Sequence, residues 1–120
     1  TENNAIKLEM FIFDVLPLSS NLSVMRVPRE FEFAPLKNAD GDKKTDTPKD
    51  ALNKIIQRNQ FMLEQAGAIL EDNPHEVVCS MSPALTYEGE GLEQLKGIKM
   101  KYPILLESKY DLLKAANGEI

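Results

Sequence analysis

Side chains that commonly announce chemistry are scarce in this sequence. One histidine, one cysteine and no tryptophan occur among 120 residues. A lone cysteine, Cys79, excludes a disulfide within these residues, and one imidazole beside one thiol cannot assemble a zinc-type ligand cluster. Cys79 lies in the apolar run Val77-Val78-Cys79 and reads as a small core residue rather than a nucleophile. His75 follows Pro74 in a turn and reads as solvated. There is no run of 18 or more apolar residues, so no membrane-crossing helix is expected. The opening residues Thr1-Glu2-Asn3-Asn4 lack the basic and apolar regions of a secretory leader. A reducing, cytoplasmic setting is the expectation.

Positive charge is also in deficit. Fourteen lysines and arginines face nineteen acidic residues, a net charge of −5. Nucleic-acid-binding domains present basic faces, so that function class is set aside. A few focused cations still suffice for an anionic nucleotide. The chain has no internal repeat and no low-complexity tract.

The patterns that are present predict a mixed α/β to α+β chain. Residues 7–13 alternate imperfectly and are rich in strand-forming side chains, which predicts a strand. Asp14 should cap a short helical turn running to Ser19 or Ser20, limited by Pro17. A second strand is predicted over 22–27, with Pro28 at its end. Strand, short helix and strand make a βαβ-like piece suited to the rim of an open sheet. The polar run 38–46 reads as a solvated loop and a natural boundary, dividing 1–40 from a small α+β unit at 47–120.

Thr47-Pro48 is a helix start, with threonine as cap and proline at the first helical position. The helix is expected to reach about Leu70, its stripe of Leu52, Ile55, Ile56, Met62, Leu63, Ala66, Ile69 and Leu70 facing the core. Gly67 marks fraying or close packing within it. Beyond it come a strand over 76–81, a turn at Ser82-Pro83 and a loop over 85–91. One helical turn at 92–95 precedes a strand over 101–107, with Pro103 suggesting an edge. A short helix over 110–116 is stopped by Asn117-Gly118.

One lysine stands out. In the run from Arg29 to Asp40, Lys37 follows a proline inside a polar turn, downstream of the predicted strand. A lysine there can set a compact, flexible positive charge on a phosphate. By itself this spacing more often describes a surface lysine in a turn. Gly89-Glu90-Gly91 is followed by nothing that completes a phosphate-binding fingerprint and reads as a tight turn.

The segment Arg29-Glu30-Phe31-Glu32-Phe33-Ala34-Pro35-Leu36-Lys37-Asn38-Ala39 resembles the R-E-D-E-F-S-P-L-K-N-A signature of eukaryotic-type UDP-N-acetylglucosamine pyrophosphorylases. Three further blocks resemble that family in order. They are residues 4–15 (N-G-I-K-x-E-x-F-[VI]-F-D-[IV]), 87–93 (Y-A-G-E-G-L-E) and 103–106 (P-L-I-[IL]). The resemblance implies the C-terminal portion of such an enzyme, namely an edge piece of its Rossmann-like nucleotidyltransferase sheet followed by the small α+β domain. The family makes UDP-N-acetylglucosamine and pyrophosphate from UTP and N-acetylglucosamine 1-phosphate, with Mg²⁺.

By that resemblance Lys37 contacts phosphate. Phe11 and Phe13 wall the sugar and N-acetyl pocket from one strand face, and Asn4 and Glu9 fall on substrate-side positions. No metal ligand is assigned to this chain. Arg29, Glu30 and Glu32 are read as a local salt-bridge set. Ala5, Phe31 and Ala34 depart from the family's glycine, aspartate and serine. The family's nucleotide loop, G-G-x-G-T-R-L-G, is absent from these residues, which alone are expected to be inactive. The expected partners are UTP, sugar 1-phosphate, UDP-sugar and the rest of the parent polypeptide, with a homodimer open. Two alternatives also stay open. One is a UDP-sugar or UDP-glucose pyrophosphorylase of other specificity, and the other a non-catalytic dimerisation or binding module.

Overall fold

A computed structural model describes residues 4–41, 45–71 and 77–119. His75, the middle of the 38–46 loop and the start of the strand expected at residue 76 lie outside the described residues. The elements are a 3₁₀ helix at Ile12–Leu18, then helices α1 (Arg29–Glu32), α2 (Pro48–Gln65) and α3 (Lys109–Ala116). Four short strands, β1 (Ile69–Leu70), β2 (Cys79–Met81), β3 (Lys99–Met100) and β4 (Ile104–Leu106), and a 3₁₀ turn at Glu93–Leu95 complete the order.

Helix α2 begins as its sequence dictates. The Thr47 hydroxyl accepts the Asp50 N–H at 3.1 Å, and Pro48 fills the first helical position. It ends well before Leu70. Gly67 adopts φ +88°, a left-handed turn, and a Cβ there would meet Lys96 Cγ at 3.1 Å. The chain then extends, and Ile69 and Leu70 pair in parallel with Lys99 and Met100. Strand pairing captures residues that periodicity had assigned to the helix.

A second parallel pair joins β2 to β4, with Cys79 opposite Ile104 and Met81 opposite Leu106. The strand expected over 101–107 is thus confined to three residues following Pro103, and β3 was not foreseen. Helix α3 is capped by Ser108, which accepts the Asp111 N–H, and it closes as expected at Asn117-Gly118, Gly118 having φ +72°.

Among the described residues, the buried apolar side chains lie between 62 and 115, with Ile56 and Ala116 packed against them. Leu63, Leu92, Leu95 and Leu106 are the large ones that are fully buried, joined by Met62, Cys79, Met100, Ile104, Leu112 and Ala115. Buried Asn59 donates to the Cys79 carbonyl at 2.9 Å, fastening α2 to β2. Leu52 and Ile55, expected in the core stripe, share the helix face of Asn59, Met62 and Leu63 but lie nearer the start of α2 and are more than half exposed.

The first part of the chain differs from expectation. Neither predicted strand, 7–13 nor 22–27, forms; the first is irregular up to the 3₁₀ helix, which takes Ile12 and Phe13. Every described residue from 4 to 34 is exposed, including Ile6, Leu8, Met10 and Val24 at more than four-fifths. A strand satisfies its N–H and C=O groups only against a neighbour, and none is supplied here. The βαβ-like start is therefore not realised, whereas parallel pairing appears in the second part.

Candidate functional site

Lys37 is exposed, but its backbone is held. Its N–H donates to the Asp46 carbonyl at 2.8 Å, and the next N–H, of Asn38, donates to the same oxygen at 3.0 Å. The Asn38 side-chain amide adds a bond to the Thr45 carbonyl at 2.9 Å. These bonds close the loop on itself just before α2. Asp46 has φ +60°, the one left-handed non-glycine residue among those described. Aspartate tolerates that region better than most residues. The Asp46 N–H donates to the Asp50 carboxylate at 3.2 Å, and Asp50 lies 3.5 Å from the Lys54 ammonium. Lys49 donates its N–H to Asp40 at 3.0 Å, a further tie across the loop.

Upstream, α1 lies against α2 through the rings of Phe31 and Phe61, and the Lys54 ammonium reaches the Phe33 carbonyl at 3.5 Å. The Arg29 guanidinium sits 4.2 Å over the Phe33 ring. Arg29 therefore meets an aromatic face instead of the acidic neighbours expected for it; it makes no ion pair with Glu30 or Glu32. No carboxylate among the described residues lies within 4.0 Å of the Lys37 ammonium.

Phe11 and Phe13 stack at 5.0 Å with planes 8° apart. They do so at the start of the 3₁₀ helix, not on a strand face. Asp14 fixes the turn, accepting the Phe11 N–H at 3.1 Å and donating its own N–H to the Phe11 carbonyl at 3.0 Å. Both rings remain about half exposed, an aromatic surface with one side open. Glu9 forms an ion pair with Lys7, and Asn4 is exposed. Among the described residues, no hydrogen bond, ion pair or ring contact joins this group to Lys37. With nothing buried between residues 4 and 34, no packing holds the two groups together.

The turn over 86–91 serves itself. The Glu90 carboxylate accepts the Tyr87 N–H at 2.9 Å and the Glu88 N–H at 2.7 Å, with the Thr86 hydroxyl at 3.2 Å. These donors, led by the Glu88 N–H, hold its pKa down at about 2. The Gly89 N–H goes to the Thr86 hydroxyl at 2.9 Å and the Gly91 N–H to the Glu93 carboxylate at 3.3 Å, so these turn donors are already paired within the chain. Arg58 of α2 docks the turn through Glu88 at 2.6 Å. Burial pushes the Cys79 thiol up to about 11, so it stays protonated and is no nucleophile at neutral pH. Asp46 was missed by the sequence reading; an aspartate directly before a Thr-Pro helix start was its only local signal.

No protein-family model matches this chain. The UDP-N-acetylglucosamine pyrophosphorylase of Saccharomyces cerevisiae is 43% identical over 81% of this chain and 20% of its own length. The UDP-N-acetylhexosamine pyrophosphorylase-like protein 1 of Xenopus tropicalis is 36% identical over 90% of this chain and 24% of its own length. A crystal structure of a putative UDP-N-acetylglucosamine pyrophosphorylase from Entamoeba histolytica superposes with a TM-score of 0.71 at 32% identity, covering 82% of this chain and 24% of that one. The chain belongs, as one part, to the UDP-N-acetylglucosamine pyrophosphorylase family. It spans about a quarter or less of the length of these pyrophosphorylases. Within the family signature, the Arg29–Ala39 block is tied to α2 by the Lys54 bond to the Phe33 carbonyl, and the 87–93 block by the Arg58–Glu88 pair.

Proposed function

We propose that this chain is the C-terminal portion of an enzyme that joins UTP to N-acetylglucosamine 1-phosphate, giving UDP-N-acetylglucosamine and pyrophosphate. The observation that carries the reading is the 43% identity to the yeast pyrophosphorylase over four-fifths of the chain. Residues 1–40 then contribute to the edge of the catalytic nucleotidyltransferase sheet, and 47–120 form the small α+β domain. The apolar side chains left exposed over 6–27 suit that assignment, because a parent sheet would cover them.

The chemistry brings two strongly anionic phosphates together, so a protein assists mainly by positioning and neutralising charge. Lys37 is the cation for that task, a compact donor with no acidic partner among the described residues. The Phe11–Phe13 stack suits the apolar face of a sugar ring or an acetamido methyl. Asn4 and Glu9 are assigned as its polar companions, Glu9 exchanging its Lys7 partner for substrate. Mg²⁺ is proposed as the cofactor of the full-length enzyme, held outside these residues; among the described ones no group of three His, Cys, Asp or Glu converges. The compartment is proposed to be the cytoplasm.

The test is Lys37→Ala in the full-length enzyme. We expect kcat/KM to fall by about 2–4 kcal/mol of transition-state stabilisation, with poor rescue by arginine. Activity within about twofold of wild type would make Lys37 a solvated turn residue and overturn the assignment.

A further inference from the structure

We propose that Asp46 is a positioning residue for Lys37, setting the phosphate-contacting lysine from the first turn of α2. The inference rests on the reading of Lys37 as a phosphate contact and adds the element that aims it. A lysine side chain is long and flexible, so the ammonium is only as well placed as the backbone beneath it. Here two successive N–H groups, of Lys37 and Asn38, converge on one oxygen, the Asp46 carbonyl, at 2.8 and 3.0 Å. Two bonds to one acceptor fix the position and the tilt of the peptide joining them.

That carbonyl points back at Lys37 because Asp46 turns left-handed, with φ +60°. The turn is itself anchored. The Asp46 N–H is held by Asp50, whose own N–H is held by the buried Thr47 hydroxyl. Thr47 caps α2, and α2 enters the core through Met62 and Leu63. Upstream, the Phe31–Phe61 contact and the Lys54 bond to the Phe33 carbonyl fasten residues 31–33, a few positions before Lys37, to the same helix. Lys37 is thus carried by α2 from both sides, although sequence order puts it in the preceding unit.

The conformational requirement makes the proposal testable. Asparagine and glycine adopt φ near +60° readily, whereas a β-branched residue does not. In the full-length enzyme, Asp46→Asn and Asp46→Gly should keep kcat/KM for UDP-N-acetylglucosamine pyrophosphorolysis within about threefold of wild type. Asp46→Val should lower it by roughly tenfold to a hundredfold, the cost of misplacing a reacting group by an ångström or less. In a Lys37→Ala background the same valine should cost nothing more, because the group it misplaces is gone. A role confined to stability would lower both backgrounds alike. Asp50→Ala removes the anchor of the Asp46 N–H without forcing φ, and replaces the valine variant if that variant does not fold.

Three outcomes are decisive. A valine penalty that vanishes without Lys37 supports the proposal. Lys37→Ala impaired while Asp46→Val and Asp50→Ala are neutral, or a penalty equal in both backgrounds, overturns it and leaves the Lys37 assignment standing. Full activity of Lys37→Ala overturns that assignment, and this inference with it.

Discussion

The ring of Phe31 rests on the ring of Phe61 with centroids 5.2 Å apart and planes inclined by 40°. The contact crosses from α1 to α2 and is the ring contact by which the Lys37 peptide meets the helix. The family signature has aspartate at the Phe31 position, so an apolar contact stands here in place of a polar side chain. Replacing either ring by alanine should loosen α1 from α2. A double-mutant cycle in thermal or urea unfolding should return a coupling of about 0.5–1.5 kcal/mol, as for other aromatic pairs. Strict additivity of the two changes would mean the rings are only neighbours.

Glu90 should make the 86–91 turn acid-sensitive. Its folded pKa, about 2, lies below the ordinary 4.5, so its contribution to stability is full above 4.5 and is lost as pH falls towards 2. Asp111, held low chiefly by the Ser108 hydroxyl, acts in the same direction at the start of α3. Glu90→Gln should lower Tm near neutrality and flatten its decline below pH 4.5. Parallel Tm–pH curves for the variant and wild type would remove Glu90 from the acid response.

Core and exposed positions should separate sharply in the isolated chain. Leu63 is fully buried, and Leu63→Ala should cost about 2–5 kcal/mol in urea unfolding. Met10 is 96% exposed, and Met10→Ala should stay within about 0.5 kcal/mol. In the full-length enzyme Met10→Ala should cost more than it does here, if the parent sheet covers it. Equal small effects in both settings would count against residues 1–40 belonging to that sheet.

On the proposed reading, the aromatic stack takes part in sugar selection. Phe13→Ala in the full-length enzyme should widen the pocket and raise the relative kcat/KM for sugars with bulkier N-acyl groups. A melt run beside it separates the two explanations: lowered Tm with unchanged sugar preference assigns Phe13 to packing alone.

Where interactions are local, the residues themselves determined the outcome. Thr47-Pro48 started α2, Asn117-Gly118 stopped α3 and Val77-Val78-Cys79 led into a buried thiol, because caps, glycine turns and short apolar runs act within a few residues. The four signature blocks also carried the family assignment without any coordinates. Tertiary structure decided the rest. Ile69 and Leu70 left the helix because Lys99 and Met100, thirty residues away, offered a parallel partner. Residues 7–13 and 22–27 have strand-like composition but no neighbour to pair with, so they stay irregular or, at Ile12 and Phe13, coil into a 3₁₀ helix. Likewise, Lys37 was legible as a candidate, but not Asp46 as its support, since that link needs the chain to close a loop onto a helix cap. Helical hydrogen bonds join residues four apart and can be read along the chain; strand pairing and loop closure join distant residues and become visible only in the fold.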